Sequence, residues 1–182
     1  MVVSDPVYLI ILILALGTSS FATIFSWQRK SLAGARTFAL NSALGVVYSL
    51  CALLLMFSPT TEAAFFSLRL RIILELLAHA TFALFILDFV GYKRWFSPRR
   101  FWIFFVFPLC AIAVALSSRF GDWFVTGYSV RRQSFLLYEQ YQYGPMYALS
   151  LAYAFSLYIV LLIILGFQSL QVHPPFRWQV LI

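Results

Sequence analysis

Five long apolar stretches, each followed by a short polar or basic connection, dominate the chain. They cover residues 6 to 27, 35 to 58, 64 to 90, 99 to 117 and 144 to 169. An α-helix of ~20 residues crosses the ~30 Å hydrocarbon core of a bilayer, whereas a spanning strand needs only ~9–11 residues. The pattern therefore predicts an all-α membrane protein, an antiparallel bundle of five complete transmembrane helices.

The last residues of the chain indicate a further helix. In "PPFRWQVLI", two prolines suit the mouth of a helix, Arg177 and Trp178 suit a membrane interface, and a new apolar run starts at about residue 176. We therefore expect the start of a sixth helix, and a single transmembrane domain over residues 1–182 that is incomplete at its carboxyl terminus.

Basic residues define the predicted orientation. The connections "WQRKSLAGAR" and "GYKRWFSPRR" are rich in Lys and Arg, and the connection between them, "SPTTEAA", has neither. Short cytoplasmic loops are enriched in these residues, so both basic loops are predicted to be cytoplasmic and the amino terminus outside. The outer segment 118–143 carries three arginines, which is an exception to this rule.

Composition supports a membrane environment and excludes several functional classes. The chain is 63% hydrophobic and only 10% charged, and most of its net charge of +7 lies in the two basic loops beside lipid headgroups. Membrane lipids are therefore expected partners, and nucleic acid is not. No nucleophile, zinc or phosphate-loop motif is present, so we expect no catalytic residue, no metal and no cofactor. Cys51 and Cys110 lie within apolar runs and predict buried thiols, not a disulfide.

The third apolar stretch carries ionisable groups. Arg71, Glu75 and His79 are four residues apart and share one helical face. Glu75 and His79 lie in the middle of the span, where a charge costs ~2.5–3.5 kcal/mol, so they should have partners. Two interpretations remain open: an Arg71–Glu75 ion pair beside a neutral His79 that only fixes packing, or the polar floor of a cavity that binds a ligand or moves a proton.

Aromatic residues add to the candidate ligand site. Tyr48 and Tyr153 lie at a depth similar to that of the charged stripe, although tyrosines also join helices by packing. The outer segment 118–143, which includes Trp123, is interpreted either as an interfacial aromatic belt or as a lid over the bundle. The hypothetical ligand-binding set is therefore Arg71, Glu75, His79, Tyr48, Tyr153 and Trp123.

Several local sequences resemble one family of membrane sensors. They are "AGARTFAL" (33–40), "FALFILDFVGY" (82–92), "RRFWIFFVFP" (99–108) and "YGPMYALSLAYAFSLYIVLL" (143–162). Together they resemble the seven-helix sensor region at the amino terminus of bacterial sensor histidine kinases and diguanylate cyclases. The resemblance implies a multi-pass protein of the bacterial cytoplasmic membrane with an external amino terminus and a cytoplasmic effector domain.

These residues and this resemblance are compatible with three functions. The preferred one is a receptor that binds a small or lipidic ligand from the outer side and signals to the effector through a helix shift, with Pro108 offering a kink. The alternative is a non-catalytic scaffold subunit of an energy-transducing or photosynthetic complex, whose partners would be other membrane subunits. A transporter or membrane enzyme using Glu75 and His79 is less favoured, because no paired broken helices are visible.

Overall fold

The computed structural model describes residues 5–58, 60–91, 98–117, 119–133 and 136–171. The elements in chain order are helices α1 (Asp5–Gln28), α2 (Ala35–Met56), α3 (Thr61–Phe89), α4 (Pro98–Leu116) and α5 (Phe120–Trp123), strands β1 (Val125–Gln133) and β2 (Leu136–Tyr143), and helix α6 (Pro145–Gln171). The long helices occupy the predicted apolar stretches. The predicted start of a further helix near residue 176 lies outside the described residues.

Four of these helices, α1, α2, α3 and α6, are long and apolar enough to cross a membrane. In α4 the apolar part is shorter, Phe104–Leu116. Many large apolar side chains on α1 and α6 remain exposed, for example Leu14 at 61% and Leu162 at 67%. Such faces are stable against hydrocarbon, which supports the prediction of a multi-pass membrane protein.

Small residues and hydrogen bonds hold α2 against α3. Ala39 of α2 and Ala64 and Ala80 of α3 are each no more than 1% exposed. Such small side chains allow helix backbones to approach closely in a membrane, where burial of apolar area drives association only weakly. Across the same interface, Ser67 Oγ donates to the Cys51 carbonyl at 2.6 Å and Thr81 Oγ1 donates to Asn41 Oδ1 at 2.9 Å.

The segment between α4 and α6 corrects the all-α prediction, because it forms a β-hairpin. β1 and β2 pair antiparallel from Val125–Tyr143 to Gln133–Leu136, with an irregularity between Thr126 and Ser129. Gly127 lies in that irregularity with φ of 62°, a conformation that glycine adopts without strain. Open strand edges are not tolerated in hydrocarbon, so the hairpin belongs outside the lipid core.

The hairpin is packed on the end of the bundle where α3 and α6 begin. Phe120 and Phe124, which precede β1, are fully buried in one cluster with Leu68 and Ile72 of α3 and Met146 of α6. At the far end of β2, the Gly144 N–H donates to the Phe124 carbonyl at 2.8 Å. The two ends of the hairpin are therefore held together, and both are anchored to the helices.

Candidate functional site

The charged stripe on α3 is present but its members have different partners. Arg71, Glu75 and His79 lie within one helix, as predicted. Arg71 forms its ion pair with Glu139 of β2, and not with Glu75. The interpretation in which Arg71 pairs with Glu75 is therefore wrong, because the hairpin brings a second carboxylate to the bundle. Glu75 instead faces His79, with 3.8 Å between Oε1 and Nε2.

The Arg71–Glu139 pair lies between the hairpin and the bundle and is nearly buried. The side chains are 11% and 10% exposed. Tyr128 of β1 donates its hydroxyl proton to the second carboxylate oxygen of Glu139 at 3.1 Å, so both oxygens accept a hydrogen bond. Charges removed from water are stable only when they are well paired in this way. The buried Nε–H of Arg71 has no acceptor among the described residues.

Electrostatics keep Tyr128 in its donor form. Burial raises the pKa of the Tyr128 phenol well above its ordinary value, and the negative charge of Glu139 and the hydrogen bond to it raise this pKa further. Burial is also the main reason that the pKa of Tyr141 is raised, and its hydrogen bond with Tyr143 raises this pKa further. Both phenols therefore stay protonated over the physiological range, and Tyr128 remains a donor to Glu139.

A row of tyrosine rings connects the hairpin to α6. Tyr128 and Tyr141 stack with ring centroids 6.2 Å apart, Tyr141 meets Tyr143 edge-on at 5.2 Å, and Tyr143 stacks on Tyr147 of α6 at 4.0 Å. Aromatic pairs of this kind add ~0.5–1.5 kcal/mol beyond their buried area. The hairpin thus contacts α3 through the ion pair and through the rings of Tyr128 and Phe65, whose centroids are 4.9 Å apart, and it contacts α6 through aromatic packing.

Glu75, His79 and Tyr158 form a second polar group deeper in the bundle. His79 Nδ1 lies 2.6 Å from the Tyr158 hydroxyl of α6, and its Nε2 faces Glu75. A neutral histidine protonated on Nε2 would donate towards the carboxylate and accept from the phenol, so this arrangement needs no buried cation. The side chain of Glu75 is 35% exposed. It borders a cavity of about 10 Å³ that is also lined by Tyr147 and Ser150 and has room for about one water molecule.

Tyr153 is not part of this group, because it binds α4. Its hydroxyl donates to the Phe104 carbonyl at 2.7 Å, and its ring stacks on Phe107 at 4.8 Å. Pro108 lies inside α4 and has no N–H, so it cannot donate to the carbonyl four residues earlier, which is that of Phe104. Tyr153 therefore supplies the hydrogen bond that the proline removes.

Tyr48 and Trp123 lie at the hairpin end. Tyr48 on α2 is 37% exposed. Trp123 is 43% exposed, whereas Phe120 and Phe124 beside it are buried. Of the predicted ligand-binding residues, the structure places Glu75 beside His79, with Arg71 one turn away on the same helix, and binds Tyr153 to α4.

A cavity of about 480 Å³ opens between α2, α3 and α6, in the half of the bundle away from the hairpin. Phe82, Leu161 and Leu165 form its apolar walls, and Asn41, His79 and Tyr158 add polar groups. Within the described ranges, no three His, Cys, Asp or Glu side chains form a group that could hold a metal ion.

Sequence reasoning missed Glu139 and Asn41. A partial signal for Glu139 was available, since "QYQY" (140–143), which directly follows it, alternates polar and aromatic residues with a period of two, a pattern typical of a strand. A strand there would have required a partner strand and would have brought the single carboxylate of that stretch to the mouth of the bundle. Nothing in the sequence pairs Asn41 with Thr81.

Comparisons with known proteins identify the family. No curated protein and no solved structure matches the chain. The family model described as the N-terminal 7TM region of histidine kinase matches residues 11–182, nearly the whole sequence. The chain therefore belongs to the family of N-terminal seven-transmembrane regions of histidine kinases.

Proposed function

We propose that this chain is a sensory module of the bacterial cytoplasmic membrane that receives its signal at the hairpin end and passes it to a cytoplasmic effector. The observation that carries the proposal is the buried Arg71–Glu139 pair, which joins an extramembrane hairpin to a helix that crosses the membrane. A displacement of the hairpin must either move α3 or break this pair. Family membership favours this function over a scaffold in a larger complex.

The ligand proposed for the module is small or lipidic and binds from the outer side. Arg71 is the best-supported contact, because its Nε donor has no acceptor among the described residues and its charge is shielded from water. Glu75, one helical turn from Arg71 on α3, and Tyr48, which is partly exposed on α2, are further proposed contacts. A ligand with a carboxylate, phosphate or other acceptor group would compete with Glu139 for Arg71 and release the hairpin. Such a ligand selects one of two states of the pair, which is what a signal requires.

The orientation is a part of this proposal that labelling can test. With the hairpin outside, Ser129→Cys should react with a membrane-impermeant maleimide in intact cells, and Ser31→Cys in the α1–α2 connection should react only after lysis. Both serines are exposed, so burial does not confound the comparison. The exposed native thiol, Cys110, is first replaced by alanine. If only Ser31→Cys is labelled in intact cells, the proposed orientation is wrong and the hairpin faces the cytoplasm.

Coupling between the hairpin and the far end of α3 is the central test. Glu139→Gln removes the negative charge but keeps an oxygen that can accept the hydrogen bond from Tyr128. The substitution should therefore loosen the contact between the hairpin and α3 while the hairpin remains folded. A spin label at Val90→Cys, just past the last residue of α3, should then change its mobility. The matched control is Gln140→Ala, whose exposed side chain belongs to the same strand.

The control should leave the Val90 label unchanged. If Glu139→Gln mobilises a label at Ser129 but not the label at Val90, the hairpin moves without α3 and the proposed transmission is incorrect.

A further inference from the structure

The cavity between α2, α3 and α6 has the dimensions of a helix-packing groove. It follows α3 from Ala78 to Ile86, which is roughly 12 Å or two helical turns at 1.5 Å per residue. Its α6 wall includes Leu161, which is 2% exposed, and Leu162, which is 67% exposed. The groove therefore has a buried floor and an open rim, and it faces away from the hairpin and its ion pair.

The polar groups in the groove are poorly suited to contact with lipid. Asn41 has its carbonyl oxygen bound by Thr81, and its amide group carries two further N–H donors. His79 and Tyr158 form their hydrogen bond on the same lining. Hydrocarbon offers no hydrogen-bond partner, and polar residues within a span normally face other helices. The lining would be complemented by an occupant that is mostly apolar and carries a hydrogen-bond acceptor for the amide N–H groups of Asn41.

The family description provides a candidate for that occupant. It specifies seven transmembrane helices, and the chain matches it over residues 11–182. The part of the chain that the structure describes contains four helices long enough to span, and a shorter apolar helix, Phe104–Leu116. A seven-helix region thus requires more helices than are described, and these need a surface on which to pack.

We propose that the groove formed by α2, α3 and α6 receives a further transmembrane helix of the same seven-helix region. That helix presents apolar side chains to Phe82, Leu161 and Leu165 and a mid-span acceptor to Asn41. The proposal rests on family membership and the groove, and it holds whether or not the hairpin transmits a signal.

Oxygen accessibility of spin labels tests the proposal in bilayers. The protein is expressed from its own gene with Cys51 and Cys110 replaced by alanine, and a single cysteine is placed at Leu162 or at Val106. Val106 on α4 is 57% exposed, is absent from the groove lining, and lies at a similar ~12–14 Å from the end of its helix away from the hairpin. Leu162, at the rim, accommodates a label with less disturbance than the buried Leu161.

A covering helix should make the Leu162 label several-fold less accessible to oxygen than the Val106 label, at every lipid-to-protein ratio. Equal accessibility at the two positions would mean that lipid fills the groove, which overturns the proposal. Protection that disappears on dilution with lipid would identify a second copy as the occupant and would overturn it too. The same comparison at Leu165 guards against a local effect of one label.

Discussion

Replacing Glu139 with alanine should lower the free energy of unfolding by about 3–5 kcal/mol, because it leaves the Arg71 guanidinium buried without its counter-ion. Only about a tenth of either side chain is exposed, so water cannot replace the lost partner without opening the hairpin. The measurement is a denaturation titration in mixed micelles, followed by circular dichroism. This loss would be the largest of any single substitution proposed for the hairpin.

Two variants separate the pair from general damage to β2. Arg71→Leu/Glu139→Leu removes both charges and should be much more stable than Glu139→Ala, because no unpaired charge remains. Gln140→Ala, at the exposed neighbour, should be close to the wild type. A loss below about 1 kcal/mol for Glu139→Ala would show that the pair behaves like an exposed one and does not anchor the hairpin.

Replacing Gly144 with alanine should destabilise the protein by about 3 kcal/mol, the upper end of the ~1–3 kcal/mol usual for overpacking. A Cβ at this position would lie 2.3 Å from the Trp123 carbonyl oxygen and 2.6 Å from its carbon. These are backbone atoms, so no side-chain rotation relieves the clash. The strain falls where β2 ends and α6 begins, and limited proteolysis should detect a loosened hairpin.

Gly17→Ala is the matched control for this substitution. Gly17 lies within α1 with no neighbouring atom within 4 Å of an added Cβ, so alanine should fit and slightly favour the helix. If Gly144→Ala and Gly17→Ala have equal stability, the close approach of Gly144 to Trp123 is not a constraint in the folded protein.

The helices were predictable because a bilayer imposes a simple rule on the chain. Each span must satisfy its own backbone and expose apolar side chains, and both requirements are visible locally in the sequence. The stripe of Arg71, Glu75 and His79 followed from helical spacing for the same reason. The partner of Arg71 did not follow, because Glu139 is 68 residues away and reaches the bundle only through the hairpin.

The candidate site was therefore predicted in part. Local spacing indicated that Arg71, Glu75 and His79 share a face, but it carried no information on which neighbouring helix each would meet. Tyr153 was grouped with them by depth, whereas its hydroxyl binds α4 at Phe104. Depth places a residue along the membrane normal, and the direction in which it points depends on helix rotation, which a single sequence does not specify.

The bond between Tyr153 and the Phe104 carbonyl has a mechanical consequence for α4 and α6. To slide or separate the two helices at this level, the protein would have to expose a carbonyl that Pro108 leaves without an intrahelical donor. An unsatisfied backbone group in hydrocarbon costs several kcal/mol. Bending of α4 about Pro108 leaves this hydrogen bond intact, whereas sliding breaks it. We therefore expect α4 and α6 to move as a clamped pair, to which the His79–Tyr158 hydrogen bond also ties α3.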